Sequence, residues 1–550
     1  MGIYASMKIA IIHGYLLSGT GSNIYVANLV AGLVARGHDV FLFCQEPQPQ
    51  GFRFIDECYD FEAGNQCFFP VFSRRGQGPG RARLFRPRIG EILPVYVLDE
   101  YAGFTAKEFH RLPRLDIENH VARNAEAVRT VHNAFGLEVA QANHLIASPA
   151  VARRALEEES VPYHVTIHGS ALNYSVKRDA RLNPLALYGL EKAASVTAPS
   201  RFLSRQLNDY LISVGRPKVK VNIVYPGVEL TLFQPTDDRS GDVAGLVRQL
   251  KQQSVPGKSA GLKESLRAAV RTGDRSRIKK ELAEPAVYER RAPDGDASET
   301  LAKIDWQHEQ VVMFVGKYLA AKGLHVLIMA APLVRAIRGR TRFLAVGFSD
   351  QRELFEALLD ALAEGEGRLV IDLVREIEKD CRPPVGTRFL ATLKRRGEFA
   401  GYLQTARDAD LTESFLFTGP LDHEELAQLL PAADLSISPS IFPEAFGMVA
   451  AEALAAGVFP VVADDFGMVE IAELCQASFG GRFPELPKLK IDSRFVDRLS
   501  EIMIAALAEP SLRSRRFKKA ANRLAARRFS WERVTADYLK LFVKGHRRVA

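Results

Sequence analysis

At 550 residues the chain exceeds what one hydrophobic core supports, so two domains of ordinary size with insertions are expected. Hydrophobic residues make up 47% and charged residues 25%, the balance of a globular protein in water. Lys and Arg total 73 against 65 Asp and Glu, and the resulting charge of +8 is not gathered into a basic run interleaved with aromatics, which excludes a nucleic-acid partner.

What that mild excess leaves open is a solvated basic surface, an anionic acceptor, or peripheral contact with an anionic membrane. The five cysteines, Cys44, Cys58, Cys67, Cys381 and Cys475, form no C-x-x-C pair. They argue against a disulfide framework or a structural zinc and fit a reducing cytoplasm. A membrane span is not expected, because no run of about 18 uncharged apolar residues occurs. The nearest approach, residues 441–463, carries Glu444 and Glu452 and is interrupted by Pro443 and Pro460. The expected location is therefore the cytoplasm, with the inner face of the membrane as its one peripheral site.

In chain order, Lys8–His13 reads as a short buried strand of a parallel sheet, followed by a Gly-rich loop from Gly14 to Asn23. Ile24–Ala35 has helical periodicity and stops at Arg36-Gly37, and Asp39–Cys44 is the next strand. This β-α-β grammar implies a doubly wound, Rossmann-like sheet. Residues 45–115 are less regular and rich in Pro, Gly, Arg and Phe. A helix over Ile117–Phe135 and strands at Val139–Ala142, Tyr163–Ile167, Val196–Ala198 and Val221–Val224 complete a first domain, residues 1–235. Residues 236–308 are polar and read as an insertion or linker, partly disordered, with one polar helix over Ala260–Ala283. A second strand–helix series fills 309–528. Its strands are Val311–Val315, Arg342–Val346, Phe415–Thr418, Leu435–Ser438 and Val458–Ala463, and residues 351–412 form a charged helical insertion. The last helices are expected over Ser493–Leu507 and Ser511–Lys544.

The densest chemical signal is the segment Ser438-Pro-Ser-Ile-Phe-Pro-Glu444-Ala-Phe446-Gly447-Met448-Val449-Ala-Ala-Glu452-Ala453. A strand ends, a Pro-containing turn presents Glu444, and a helix opens near Phe446-Gly447, where free backbone N–H groups and the positive dipole end make an anion site. Were the residues between the glutamates helical, the two carboxylates would stand roughly 12 Å apart along the axis and about 80° around it. They could then grip the two ends of an elongated polyhydroxylated ligand whose phosphates lie between them. The loop Gly316-Lys317-Tyr-Leu-Ala-Ala-Lys322-Gly323 sets two cations beside a second strand-to-helix turn, a placement that suits a departing diphosphate. Ser18-Gly19-Thr20-Gly21-Ser22 follows the first strand but lacks the full G-x-G-x-x-G of dinucleotide sites. Thr166-Ile167-His168-Gly169 puts a histidine at a strand's C-terminal end, where open α/β sheets hold ligands. The triplets Asp294/Asp296 and Asp408/Asp410 lie in polar segments away from strand ends and read as solvated acids, so no metal site is expected.

The Glu444–Glu452 segment resembles the E-x7-E motif of retaining GT-B glycosyltransferases of family 4. The resemblance implies a GT-B fold, two facing Rossmann-like doubly wound domains with helical and polar insertions, and a C-terminal helix, 529–550, that crosses back to the first domain. It implies that Glu444 takes donor-sugar hydroxyls, that Glu452 takes the nucleotide ribose, and that Phe446, Gly447, Met448 and Val449 open the helix against the donor. It implies phosphate contacts from Lys317 and Lys322, with Lys317 standing where the family has Arg and so lacking the bidentate fork. It implies further that Gly19 and Gly21 approach the donor phosphates and that His168 approaches the reacting centre. Weaker matches at Ala198-Pro-Ser-Arg201, Tyr225-Pro-Gly-Val-Glu229, Phe417-Thr-Gly419 and Phe529-Ser-Trp-Glu532 fall in the same order. The implied reaction is retaining, metal-independent sugar transfer from a UDP- or GDP-linked donor to a carbohydrate, lipid-linked or small-molecule acceptor, with no other cofactor. A nucleotide-sugar epimerase, or another non-transferase enzyme on the same fold, is the rival reading.

Overall fold

The computed structural model describes residues 6–549 except 63, 65–66, 75, 77, 98–100, 102, 253–259, 284–291, 350 and 482–488. It forms two compact units, one reaching from the N-terminus to Gly227 and resuming at Phe529, the other running from Val228 to Arg528.

The first unit is organised on a nine-stranded sheet. Its central strand, Lys8–Ile12, is apolar on both faces and pairs in parallel with Asp39–Phe43 on one side and Val139–Asn143 on the other. Tyr163–Thr166, Ser195–Ala198 and Val221–Ile223 continue beyond Val139–Asn143, while Arg81–Pro87, Glu57–Glu62 and Cys67–Ser73 extend the opposite edge. Residues 45–115, irregular by composition, thus add three strands to the sheet. Their charges are spent across it: Glu57 lies opposite Arg83 and Asp60 opposite Arg86 in parallel register, and both pairs are ion-paired. Such cross-strand pairing hides a strand from any reading based on hydrophobic alternation alone. The helix Trp531–Val549 packs in this unit, where Trp531, Val534, Tyr538, Leu539 and Phe542 join the core of the first strands and Tyr25 donates to the Tyr538 hydroxyl at 2.7 Å.

The second unit has five parallel strands in the order Phe415–Phe417, Thr341–Val346, Gln310–Val315, Leu435–Ser438, Phe459–Val462. Successive strands run outward from Gln310–Val315 in one direction and then resume on its other side. The reversal between Gln310–Val315 and Leu435–Ser438 splays the following loops apart and opens a crevice at their C-terminal ends.

The polar segment 236–308 contributes helices to this unit. Arg239–Lys251, Ala260–Thr272, Arg275–Ala283 and Ala297–Ala302 bury Leu246, Leu250, Leu266, Ala269, Val270, Ile278 and Leu301. The sparse apolar residues fall on inward faces, so a low hydrophobic content still suffices for packing. The single helix expected over Ala260–Ala283 is two, because Gly273 adopts φ +69 between them. Residues 351–412 form four helices, Arg352–Glu364, Gly367–Ile377, Val385–Arg396 and Phe399–Asp408, and the short Leu411–Ser414. The long terminal helix divides at Ser530 into Arg515–Phe529 and Trp531–Val549.

Asp294 corrects the reading of its triplet as solvated. It is buried, accepts from the Arg352 guanidinium through both oxygens, and its backbone N–H donates to Thr418 O at 2.8 Å. Only a partner 58 residues away makes such a buried carboxylate tolerable. Asp408 and Asp410 are exposed.

Candidate functional site

Two loops meet at the reversal point of the second unit. After Gln310–Val315 the chain passes through Gly316, Lys317 and Tyr318 into the turn Ala320–Lys322, then through Gly323 into the helix Leu324–Ile337. Tyr318 anchors this loop by donating its buried hydroxyl to Ala345 O at 2.9 Å, while Ser349 donates to Tyr318 O. Gly323 is required twice over: its φ is +80, and a Cβ there would stand 2.0 Å from the Pro439 carbonyl oxygen. That close approach joins the loop to the one following Leu435–Ser438, and Ile441 N–H donates to Ala321 O at 2.9 Å.

The second loop carries Glu444. Its side chain accepts from Lys322 in a short ion pair and from Ser440 Oγ at 3.2 Å, and its carbonyl accepts from Gly467 N–H. Gly447 takes φ +97, and a Cβ there would meet Met468 Cγ at 2.6 Å. This left-handed residue starts the helix Met448–Ala455, so Glu444 lies in the turn before the helix. The axial spacing expected for an unbroken helix between Glu444 and Glu452 therefore does not apply. Met448 and Val449 are half-buried at the helix start, and Phe446 packs inward. Lys317 is exposed on its loop, and only Lys322 is bonded to Glu444.

Glu452 faces inward in the second turn of that helix. It is 4% exposed, and burial pushes its carboxyl up to about 7. His423 Nε2 stands 3.5 Å from Glu452 Oε1. Sequence reasoning overlooked His423; its position just after the Asp422 helix cap was the available signal.

The strand order of the first unit reverses between the parallel neighbours Lys8–Ile12 and Val139–Asn143, and histidines gather at the C-terminal ends of these strands. His168 is half-buried, with Nε2 paired to Asn143 Oδ1 at 3.0 Å and its ring 4.7 Å from that of His144 and 5.3 Å from that of Tyr25. Burial, with His13 adding, lowers its pKa to about 3, so the imidazole is neutral. His13 is paired to Asn23 Oδ1 at 2.9 Å and lowered to about 4, chiefly by burial. His144 is fully buried, and neither ring nitrogen has a hydrogen-bond partner among the described residues. His13, Asn143 and His144 were also overlooked, although each immediately follows or ends a strand of the parallel sheet. Gly19 has φ +91, Gly21 opens the helix Gly21–Val34, and nothing stands within 4 Å of a Cβ built at either position. Asn23 holds this loop by donating to Ser18 O at 2.6 Å. His168, Gly19 and Gly21 thus belong to the first unit, and all the other predicted residues to the second. Among the described residues no group of three or more His, Cys, Asp or Glu is arranged to hold a metal ion.

Two doubly wound parallel units, one carrying a lysine, a helix N-terminus and paired glutamates at its reversal point, define a GT-B architecture. Residues 20–227 match the glycosyl transferase 4-like domain, and residues 396–523 match the glycosyl transferases group 1 domain. The chain belongs to the family-4-like glycosyltransferases of GT-B fold, a class of transferases. It is 31% identical over 145 residues to glycogen synthase of Mycobacterium tuberculosis, a match covering 26% of this chain and 32% of that relative. Among solved structures it resembles Anabaena HepE in complex with UDP (TM-score 0.53, 16% identity, 98% and 100% of the two chains). It also resembles an α,α-trehalose-phosphate synthase (UDP-forming) from Burkholderia vietnamiensis (0.51, 13%, 99% and 98%). These structural likenesses establish the fold. No helix among the described residues is long and apolar enough to cross a membrane.

Proposed function

We propose that the protein transfers a sugar from a UDP- or GDP-linked donor to a carbohydrate, lipid-linked or small-molecule acceptor, with retention of anomeric configuration and without a metal ion. One observation carries the proposal. Lys322, the N-terminus of Met448–Ala455 and the buried Glu452 converge at the reversal point of the second unit's sheet. A diphosphate is matched there by an ammonium and by free backbone N–H groups, which act most strongly as charge develops on the leaving group. Glu452 would receive the ribose hydroxyls and Glu444 the sugar hydroxyls, with Lys317 adding a second positive charge. The family resemblance assigns His168 of the first unit to the reacting centre, and burial keeps its imidazole neutral.

The solved relatives include proteins whose structures hold UDP or UDP-glucose, which favours uridine over guanosine here. Retention and metal independence follow from the family resemblance. Departure assisted by Lys322 and the helix dipole needs no metal, and the carboxylate beside it, Glu444, is engaged by Lys322. The proposed cofactor requirement is the donor alone. Five cysteines with no C-x-x-C pair support a reducing compartment, and the proposed location is the cytoplasm, with peripheral membrane contact through basic surface. The test is a thermal-shift screen of UDP, GDP and ADP, followed by proton NMR of the product formed from the matching donor. Stabilisation by one diphosphate and an unchanged anomeric configuration are expected. No stabilisation by any of the three, or an inverted product, refutes the proposal.

A further inference from the structure

We infer that His423 is a positioning residue for the donor: it fixes the buried Glu452 carboxyl in the orientation and charge in which it accepts the ribose hydroxyls. The inference rests on the nucleoside-diphosphate reading above and adds to it a residue outside the E-x7-E segment.

Glu452 lies almost wholly out of water, and among the described residues its carboxyl has no side-chain neighbour within ion-pair distance other than His423. The 3.5 Å separation is slightly long for a hydrogen bond, and such contacts shorten when a ligand closes a site. His423 itself is held. It is the first residue of the helix His423–Leu429, whose N-cap Asp422 forms a capping box with Glu425, and the Phe233 ring meets it edge-on at 5.1 Å between centroids. A side chain fixed by a cap on one side and an aromatic ring on the other has little freedom to leave the carboxyl. Its side chain is 43% exposed, so it exchanges protons with water while Nε2 faces Glu452.

The charges around the ring are few. Burial lowers its pKa, Glu229 from the segment that carries Phe233 and Asp422 from its own cap raise it, and Glu452 faces Nε2. The neighbouring helix Arg239–Lys251 touches the His423 helix through Gln249 and Gln428, which are uncharged. A neutral imidazole with its proton on Nε2 donates to Glu452 Oε1, and that bond favours the carboxylate over the acid. The other carboxylate oxygen is then the acceptor turned toward the ribose. Removing the imidazole leaves a buried carboxyl that resists ionisation and can turn, and both changes weaken its grip.

The test is calorimetric titration of the full chain with UDP between pH 5.5 and 8.5, for wild type, His423→Ala, His423→Gln, Glu452→Gln and the double variant His423→Ala/Glu452→Gln. Wild-type affinity should rise with pH as Glu452 ionises. His423→Ala should weaken binding about tenfold or more at neutral pH, the worth of one hydrogen bond to a charged group, and should move the midpoint of the pH dependence upward. His423→Gln keeps a donor and should recover most of the affinity. The double variant should be no weaker than Glu452→Gln, as coupled residues require. A His423→Ala loss that is equal at every pH, additive with Glu452→Gln, or absent overturns the inference while leaving the donor site standing. Equal UDP affinity in wild type and Glu452→Gln removes the donor reading of Glu452, and this inference with it.

Discussion

Replacing Glu452 by glutamine tests the buried site without any substrate. The Glu452 carboxyl is 4% exposed, and burial raises its pKa from 4.5 to about 7. A carboxyl that binds its proton more tightly folded than unfolded stabilises the fold while it is protonated. That contribution is complete below about pH 4.5 and is lost as pH rises through about 7. A shift of about 2.5 units at 1.36 kcal/mol per unit makes the full loss roughly 3 kcal/mol. Glutamine has nearly the same shape and cannot ionise, so Glu452→Gln should lack this slope. The variant should match the wild type near pH 4.5 and exceed it by about 3 kcal/mol above pH 7.5. Trp306 lies in the second unit and Trp531 in the first. Urea unfolding followed by Trp306 fluorescence in a Trp531→Phe background therefore reports the unit that holds Glu452. Wild-type and variant stabilities that run parallel across this pH range would show that Glu452 ionises as freely folded as unfolded, and the burial argument would fail.

Lys322→Ala should lower turnover on the order of 100-fold and donor affinity much less, because its charge acts mainly on the developing diphosphate. Steady-state kinetics should show a smaller loss for Lys317→Ala, and near wild-type turnover in Lys322→Ala would refute the assignment. Activity should persist in excess EDTA; loss with EDTA and rescue by manganese would establish a metal requirement. Asp294→Ala takes the bidentate carboxylate from the buried Arg352 guanidinium, which keeps Glu356, and should cost about 1–3 kcal/mol of second-unit stability by urea unfolding, whereas Asp410→Ala, at an exposed site, should cost little.

The elements that the sequence disclosed share a property: their signals are local. A strand ending in a Gly-containing loop places Lys322 and Glu444 at the C-terminal ends of neighbouring strands wherever the rest of the chain goes, because parallel strands put all such loops on one edge. The glycines at 323 and 447 are legible for the same reason, since positive φ and close approach are demands on single residues. What stayed hidden depends on distant pairing. Arg83 and Arg86 look like surface charge until Glu57 and Asp60 stand across the sheet from them. Asp294 looks solvated until Arg352 reaches it from the next insertion. His423 precedes Glu452 by only 29 positions, but a turn, a strand and a loop intervene, and no spacing rule predicts their meeting.

The ion pair between Lys322 and Glu444 belongs to this second class, and it changes how the two residues act. Read singly, one is a phosphate cation and the other a sugar acceptor. Joined, each neutralises the other while the site is empty, so neither half-buried charge lacks a partner. A bare diphosphate that takes the ammonium leaves the Glu444 carboxylate with Ser440 Oγ and brings its own negative charge nearby. A sugar attached to the diphosphate removes that conflict, because its hydroxyls donate to the carboxylate that the lysine has left. At the donor site proposed above, the pair would thus favour the intact donor over the spent nucleotide, and would re-form once the sugar and then the nucleotide have left.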